Sequence, residues 1–88
     1  SEFGRRVIDN GSGTDHGAAG VAFAVGEHVK GGVYGMYPSL EPSQLEEGGN
    51  LKFNLDFRSV YSTILEDWFQ LDAEPIVNGN FERTKFFA

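Results

Sequence analysis

The sequence predicts a small α+β fold, with a small sheet of short strands packed against one main amphipathic helix at about residues 57–70 and glycine-rich loops in the first half. Eleven of the twelve glycines precede Asn50, so the first half is a series of short segments joined by turns. The apolar runs in that half have the length of strands. After Asp56 the apolar residues instead recur with the period of a helix.

In the first half, residues 10–20 contain almost no side chain able to anchor a core, which predicts a loop whose backbone approaches another group closely. The apolar run 21–25, bounded by glycines, predicts a buried strand. Residues 29–37 are consistent with a hairpin that turns at two adjacent glycines, or with an irregular extended segment. Residues 51–55 alternate apolar and polar side chains, which predicts a half-buried strand.

The main helix is predicted over residues 57–70, with Asp56 as its N-cap and Pro75 beyond its end. Its apolar stripe, which we expect to be buried, consists of Phe57, Val60, Tyr61, Ile64, Leu65, Trp68 and Phe69. We expect Trp68 to lie in the core. Residues 76–79 are predicted to form a turn. The tail after them is predicted to be a closing extended segment that ends in Phe86 and Phe87.

Length and composition limit the protein to one small domain, 1–88, or a fragment of a larger one. With 40% hydrophobic residues the chain has material for a core and is not predicted to be disordered. The net charge of -6 opposes binding to nucleic acid, because no basic cluster can neutralise phosphates. The chain has no cysteine and no apolar run near the roughly 20 residues of a membrane helix, so neither a disulfide framework nor membrane insertion is expected.

Asp15 and His16, in a glycine-rich setting, are the strongest candidates for chemistry, because carboxylate and imidazole are both ligands for zinc or manganese. Two ligands are too few for a site. Glu2, Asp9 or His28 would have to contribute, or the other ligands would come from polypeptide outside this chain. The alternative is that Asp15 caps a turn and His16 hydrogen-bonds locally.

Other catalytic patterns are missing from the sequence. No serine lies in a Gly-x-Ser-x-Gly elbow, and the glycines form neither a dinucleotide-binding motif nor a phosphate loop. We therefore assign no catalytic residue.

Four motifs resemble the C-terminal stretch of a large family of uncharacterised bacterial proteins grouped with the alkaline-phosphatase and sulfatase superfamily. In order, they are Ser-Glu-Phe-Gly-Arg at 1–5, Gly-Thr-Asp-His-Gly at 13–17, Val-Lys-Gly-Gly-Val-Tyr-Gly at 29–35 and Asp-Phe-Arg-Ser-Val-Tyr at 56–61. Members of that family commonly carry twin-arginine export signals. The resemblance implies that the parent protein is exported or periplasmic and that this chain is a fragment of an alkaline-phosphatase-like domain.

The resemblance also implies a divalent metal such as zinc or manganese. Glu2 would stand for the carboxylate of the first metal-binding position, where Phe3 replaces the histidine that is expected next. His16, and after it Asp15, would supply the second position. The nucleophile and the remaining ligands would belong to the missing upstream portion of the parent.

Two function hypotheses follow. In the first, the chain is a C-terminal fragment of a metal-dependent phosphatase-like or sulfatase-like hydrolase and is inactive alone. In the second, it is a non-catalytic structural or binding fragment that self-associates, because strand edges and apolar faces would otherwise remain uncovered. A tail that folds back over the helix and closes the monomer is the alternative to self-association.

Overall fold

The computed structural model describes residues 2–88, so Ser1, the first residue of the first family-like motif, lies outside the described residues. Two compact units form: residues 2–23 with 36–54, and Ala24–Gly35 with Leu55–Ala88. The predicted α+β class is confirmed, because the chain has a small two-stranded antiparallel sheet and one main helix. Among the described residues no helix is long and apolar enough to cross a membrane.

The first unit is built on an antiparallel pair of strands, β1 (Arg5–Asp9) and β2 (Thr14–His16). Arg5 lies opposite His16 and Asp9 opposite Thr14, with an irregularity between them. The turn at residues 10–13 contains Gly11 and Gly13 with φ of 97° and 143°, a backbone region that strongly favours glycine. Within the turn the N–H of residue 10 donates to the carbonyl of residue 13 at 2.7 Å. These contacts reverse the chain and align the two strands.

The prediction of a loop over residues 10–20 is therefore wrong for Thr14–His16, which form β2. The glycines of this segment do allow a close backbone contact, as expected, but the contact is with another segment of the same chain. A Cβ added to Gly20 would lie 2.8 Å from the carbonyl carbon of Phe3 and 2.9 Å from the Cα of Gly4. Only glycine fits at this contact.

The strands predicted over 21–25 and 51–55 do not form. Their apolar side chains are largely exposed, with Phe23 at 78%, Val25 at 97% and Phe53 at 60%. A strand requires a partner to complete its backbone hydrogen bonds. Neither segment pairs in a ladder, whereas β1 gains β2 through the adjacent turn.

In the second unit, α1 (Phe57–Thr63) continues into a π-helical turn over Ile64–Trp68. The predicted N-cap is confirmed, because the Asp56 carboxylate accepts the backbone N–H of Arg58 at 2.9 Å. In the π-helical turn the N–H of residue 69 donates to the carbonyl of residue 64 at 3.1 Å. The helix stops short of the predicted Gln70, which has a φ of 56°.

The apolar stripe of this helix is not its buried face, so that prediction is wrong. Trp68 is 50% exposed, and the placement of Trp68 in the core is wrong as well. The buried residues are Ser59, Ser62 and Thr63. The Thr63 hydroxyl donates to the Ser59 carbonyl at 2.8 Å and accepts the N–H of Thr84 at 2.7 Å. Hydrogen bonding to the chain near Thr84 therefore accounts for the burial of the hydroxyl-bearing face.

The C-terminal tail closes the second unit. After the short helix α2 (Glu74–Val77), which occupies part of the predicted turn, the chain returns to pair with residues 28–30. Val29 and Phe87 form an antiparallel bridge, and the N–H of Lys30 donates to the carbonyl of Phe86 at 2.7 Å. Residues 29–37 thus adopt the irregular alternative rather than a hairpin. Phe86 is only 5% exposed, so the fold-back of the tail is observed.

Candidate functional site

The predicted ligands Glu2 and His16 lie side by side in the first unit. Strand pairing places His16 opposite Arg5, close to the segment that carries Glu2. His16 Nε2 is 3.6 Å from Glu2 Oε1, and the two side chains are 63% and 78% exposed. An open pair of one imidazole and one carboxylate has the donor chemistry of a zinc or manganese site.

Arg5 is the third member of this cluster. Its guanidinium donates to Glu2 Oε2 and also to the Thr14 carbonyl, the latter at 2.6 Å. The hydrogen bond from Arg5 holds the pKa of the Glu2 carboxyl below its ordinary value, and the positive charge of Arg5 adds to this effect. Glu2 is therefore kept ionised as a ligand requires, but it already has a cationic partner with which a metal would compete.

Asp15, the other predicted ligand, is not brought to the pair. Neighbouring side chains on a strand point to opposite faces, so Asp15 and His16 diverge. The Asp15 carboxylate instead accepts a hydrogen bond from the Asn10 side chain at 2.8 Å. This contact matches the alternative interpretation, in which Asp15 supports a turn.

The remaining sequence candidates have other contacts. Asp9 Oδ1 accepts the N–H of Gly11 at 2.6 Å and so belongs to the turn. His28 lies in the second unit, where its ring centroid is 5.5 Å from that of Trp68. Phe3, at the position where the family pattern has a ligand histidine, makes an edge-to-face contact with Phe23.

Within residues 2–88 no group of three or more histidine and acidic side chains is arranged to hold a metal ion. Structural sites usually have four protein ligands and catalytic zinc sites three. The donor types of Glu2 and His16 fit such a metal, but their number provides only part of a site.

Comparisons with protein-family models, with curated proteins and with solved structures find no match to this chain. The resemblance of the four motifs therefore remains an inference from the sequence.

The second unit contains a pocket that was not predicted from the sequence. It has a volume of about 270 Å³ and is lined by Val25, Gly26, Glu27, His28, Val29, Trp68 and Phe87. Trp68 and Phe87 are stacked, with ring centroids 5.5 Å apart and an interplanar angle of 19°. The sequence signal was the aromatic pair at residues 86–87, but nothing in the sequence connects it with Glu27 and His28.

Proposed function

We propose that this chain is a C-terminal part of an alkaline-phosphatase-like, metal-dependent hydrolase, to which it contributes His16 and Glu2 as metal ligands. The observation that carries the proposal is the 3.6 Å approach of His16 Nε2 to Glu2 Oε1, since it joins two of the motifs that resemble the family. The other ligands and the nucleophile would come from the missing portion of the parent. Asp15 is left out of the ligand set because its carboxylate contacts Asn10.

The contact between Glu2 and Arg5 bears on how the site would operate. With Arg5 in place the ionised carboxylate is already neutralised, which reduces its attraction for a cation. A metal held also by ligands from the parent would displace the guanidinium from Glu2. In the isolated chain we therefore expect only weak metal binding.

The test is calorimetric titration of the purified chain with Zn²⁺ and, separately, Mn²⁺. We expect weak binding that His16→Ala abolishes and that Glu2→Gln reduces by about tenfold or more, since losing even a residue that only supports a metal ligand costs roughly 10–100-fold in affinity. His28→Ala is the matched control, because His28 contacts Trp68 in the second unit. Binding that survives His16→Ala, or that is lost only in His28→Ala, would refute the proposed ligand pair.

The isolated chain should not turn over phosphate or sulfate monoesters, because the proposed nucleophile and most metal ligands lie outside it. The measurement is release of p-nitrophenol from p-nitrophenyl phosphate and p-nitrophenyl sulfate with Zn²⁺ or Mn²⁺ present. Turnover that His16→Ala abolishes would contradict the expectation of inactivity and would require a complete site assembled from this chain.

A second candidate function, a non-catalytic fragment that self-associates, is favoured by a different observation. Among the described residues the buried hydrophobic side chains are only Ala19, Ala73 and Phe86. Val33 and Tyr37, by contrast, are 95% and 84% exposed. Apolar surface on this scale is typical of a polypeptide that is covered by another chain.

A further inference from the structure

We infer that the pocket between residues 25–29, Trp68 and Phe87 binds a small organic cation, specifically a quaternary or methylated ammonium group. The inference goes beyond the proposed hydrolase function and does not depend on it. It rests on three properties of the pocket, namely its aromatic walls, the acidic residue in its lining and the backbone that holds it in place.

The walls of the pocket are aromatic. The Trp68 ring stacks on Phe87, and His28 lies against Trp68 at a tilt of 38° with ring centroids 5.5 Å apart. Half of the Trp68 surface remains exposed, so a ligand can reach the part of this side chain that Phe87 and His28 leave uncovered. Aromatic faces attract cations through their quadrupole, and tryptophan is the strongest of them.

The lining also favours positive charge. Glu27 is its carboxylate, and neither lysine nor arginine is among the lining residues. An uncharged apolar ligand would gain nothing from Glu27, whereas a cation would interact with both the carboxylate and the rings. A pocket of about 270 Å³ is smaller than the roughly 300–1,000 Å³ typical of drug-sized ligands, which suits a small headgroup.

The pocket is fixed by backbone hydrogen bonds rather than by loose side chains. The N–H of Lys30 donates to the Phe86 carbonyl at 2.7 Å, and the N–H of Ala88 donates to the His28 carbonyl at 2.8 Å. Together they hold Phe87 beside the segment that carries Glu27 and His28. A pocket that is formed before binding loses less affinity to the cost of ordering.

Trp68 is the only tryptophan in the chain, so its fluorescence reports directly on this pocket. The probe is tetramethylammonium chloride, titrated at constant chloride concentration with sodium chloride as the balancing salt. We expect a saturable change with a Kd of about 1–10 mM, as suits one small cation at a partly exposed aromatic site. No saturable change up to about 100 mM would overturn the inference.

A second pair of probes separates charge recognition from simple apolar filling. Choline and its uncharged analogue 3,3-dimethylbutan-1-ol have nearly the same shape. Choline should bind at least about fivefold more tightly, because only choline engages the rings and Glu27 as a cation. Equal affinity for the two would show a generic apolar pocket and would refute the inference.

Two variants test the residues. Glu27→Gln should weaken tetramethylammonium binding about two- to fivefold, as expected for one exposed charge pair, and Phe87→Leu should weaken it about fivefold through loss of a ring. The matched controls are Glu82→Gln and Phe81→Leu, because neither Glu82 nor Phe81 lines the pocket. Both control variants should bind tetramethylammonium as tightly as the native chain. Should Phe87→Leu fail to fold, Glu27→Gln still decides, because it alters only an exposed side chain. Unchanged affinity in Glu27→Gln would refute the role of the carboxylate.

Discussion

At the scale of single residues, Thr63 joins two segments of the second unit through one hydroxyl group. It is fully buried, donates to the carbonyl of Ser59 and accepts the N–H of Thr84. Thr63→Val keeps the shape but leaves the Thr84 N–H without its acceptor. We expect it to lower the free energy of unfolding by about 1–3 kcal/mol, measured by urea denaturation followed by circular dichroism.

Ser62 is the control for this prediction. It is 2% exposed, and no hydrogen-bond partner for its hydroxyl oxygen lies among the described residues. Ser62→Ala should change the free energy of unfolding by about 0.5 kcal/mol or less, or stabilise the protein. Equal destabilisation by the two substitutions would show that volume, and not hydrogen bonding, determines the packing of this face.

The ion pair at the helix start predicts a pH dependence. Hydrogen bonds from the Arg58 side chain and backbone lower the pKa of the Asp56 carboxyl to about 2, against an ordinary value of 3.8. A depressed carboxyl pKa stabilises the fold above the unfolded-state pKa, and this stabilisation is lost as pH falls through the folded-state pKa. The Tm advantage of the native chain over Asp56→Asn should therefore be full above about pH 5 and disappear toward pH 2.

Asparagine caps helices about as well as aspartate, so Asp56→Asn removes the charge while keeping the cap. The measurement is Tm by circular dichroism for both proteins between pH 2 and 7. A difference in Tm that stays constant over this range would mean that the stabilisation does not depend on ionisation of Asp56.

At the scale of elements, Gly20 holds the first unit together by allowing two backbone segments to touch. A methyl group at Gly20 would lie within 3 Å of the backbone at Phe3 and Gly4, which cannot yield as a flexible side chain would. Gly20→Ala should destabilise this unit by about 1–3 kcal/mol and speed amide exchange in β1 and β2. Gly31→Ala is the control, because a methyl group there meets nothing within 4 Å. Amide-exchange rates in β1 and β2 that Gly20→Ala leaves unchanged would contradict the role of Gly20 in holding the first unit together.

The helix was predictable from sequence, and the strands were not. Helix α1 begins at a local signal, the Asp56 cap, which acts within a few residues. The apolar spacing located the helix but not its buried face, which carries Ser59, Ser62 and Thr63. Strands depend on a partner, and the sequence does not state which segment pairs with which. The charged segment Arg5–Asp9 became β1 because a glycine turn supplies its partner, while the more apolar runs 21–25 and 51–55 pair with no strand.

The candidate site was predictable to a similar extent. The residue types pointed to Asp15 and His16, and the family resemblance implied Glu2 as a further ligand; the strand register brings Glu2 and His16 together. The divergence of Asp15 follows from the two-residue period of a strand, but the glycines around this segment indicate a loop and hide that period. The hydrogen bond from Arg5 to Glu2 could not be predicted, because it depends on side-chain conformations that the spacing of residues in the sequence does not determine.

At the scale of the whole molecule, both units expose large apolar side chains to solvent. Phe23 and Met36 in the first unit are 78% and 76% exposed, and Val25 and Val33 in the second unit are 97% and 95% exposed. Exposed apolar side chains of this kind are typical of surfaces that another chain covers. An interface of standard size buries about 800 Å² on each partner.

We therefore expect the chain to self-associate, most simply as a two-fold dimer. The tail already covers part of the second unit, since Phe86 is buried, yet this closure leaves Val33 95% exposed. Sedimentation equilibrium should show a dimer with a Kd below about 100 µM, because an interface of this area normally persists at that concentration. We expect Val33 to be buried in the interface, so Val33→Asp should weaken the dimer about tenfold or more. The control is Asn80→Asp, which adds the same charge at an exposed polar position and should leave the Kd of the dimer unchanged. A single 9.7 kDa species up to about 100 µM would refute self-association, since apolar area on this scale would then remain in contact with water.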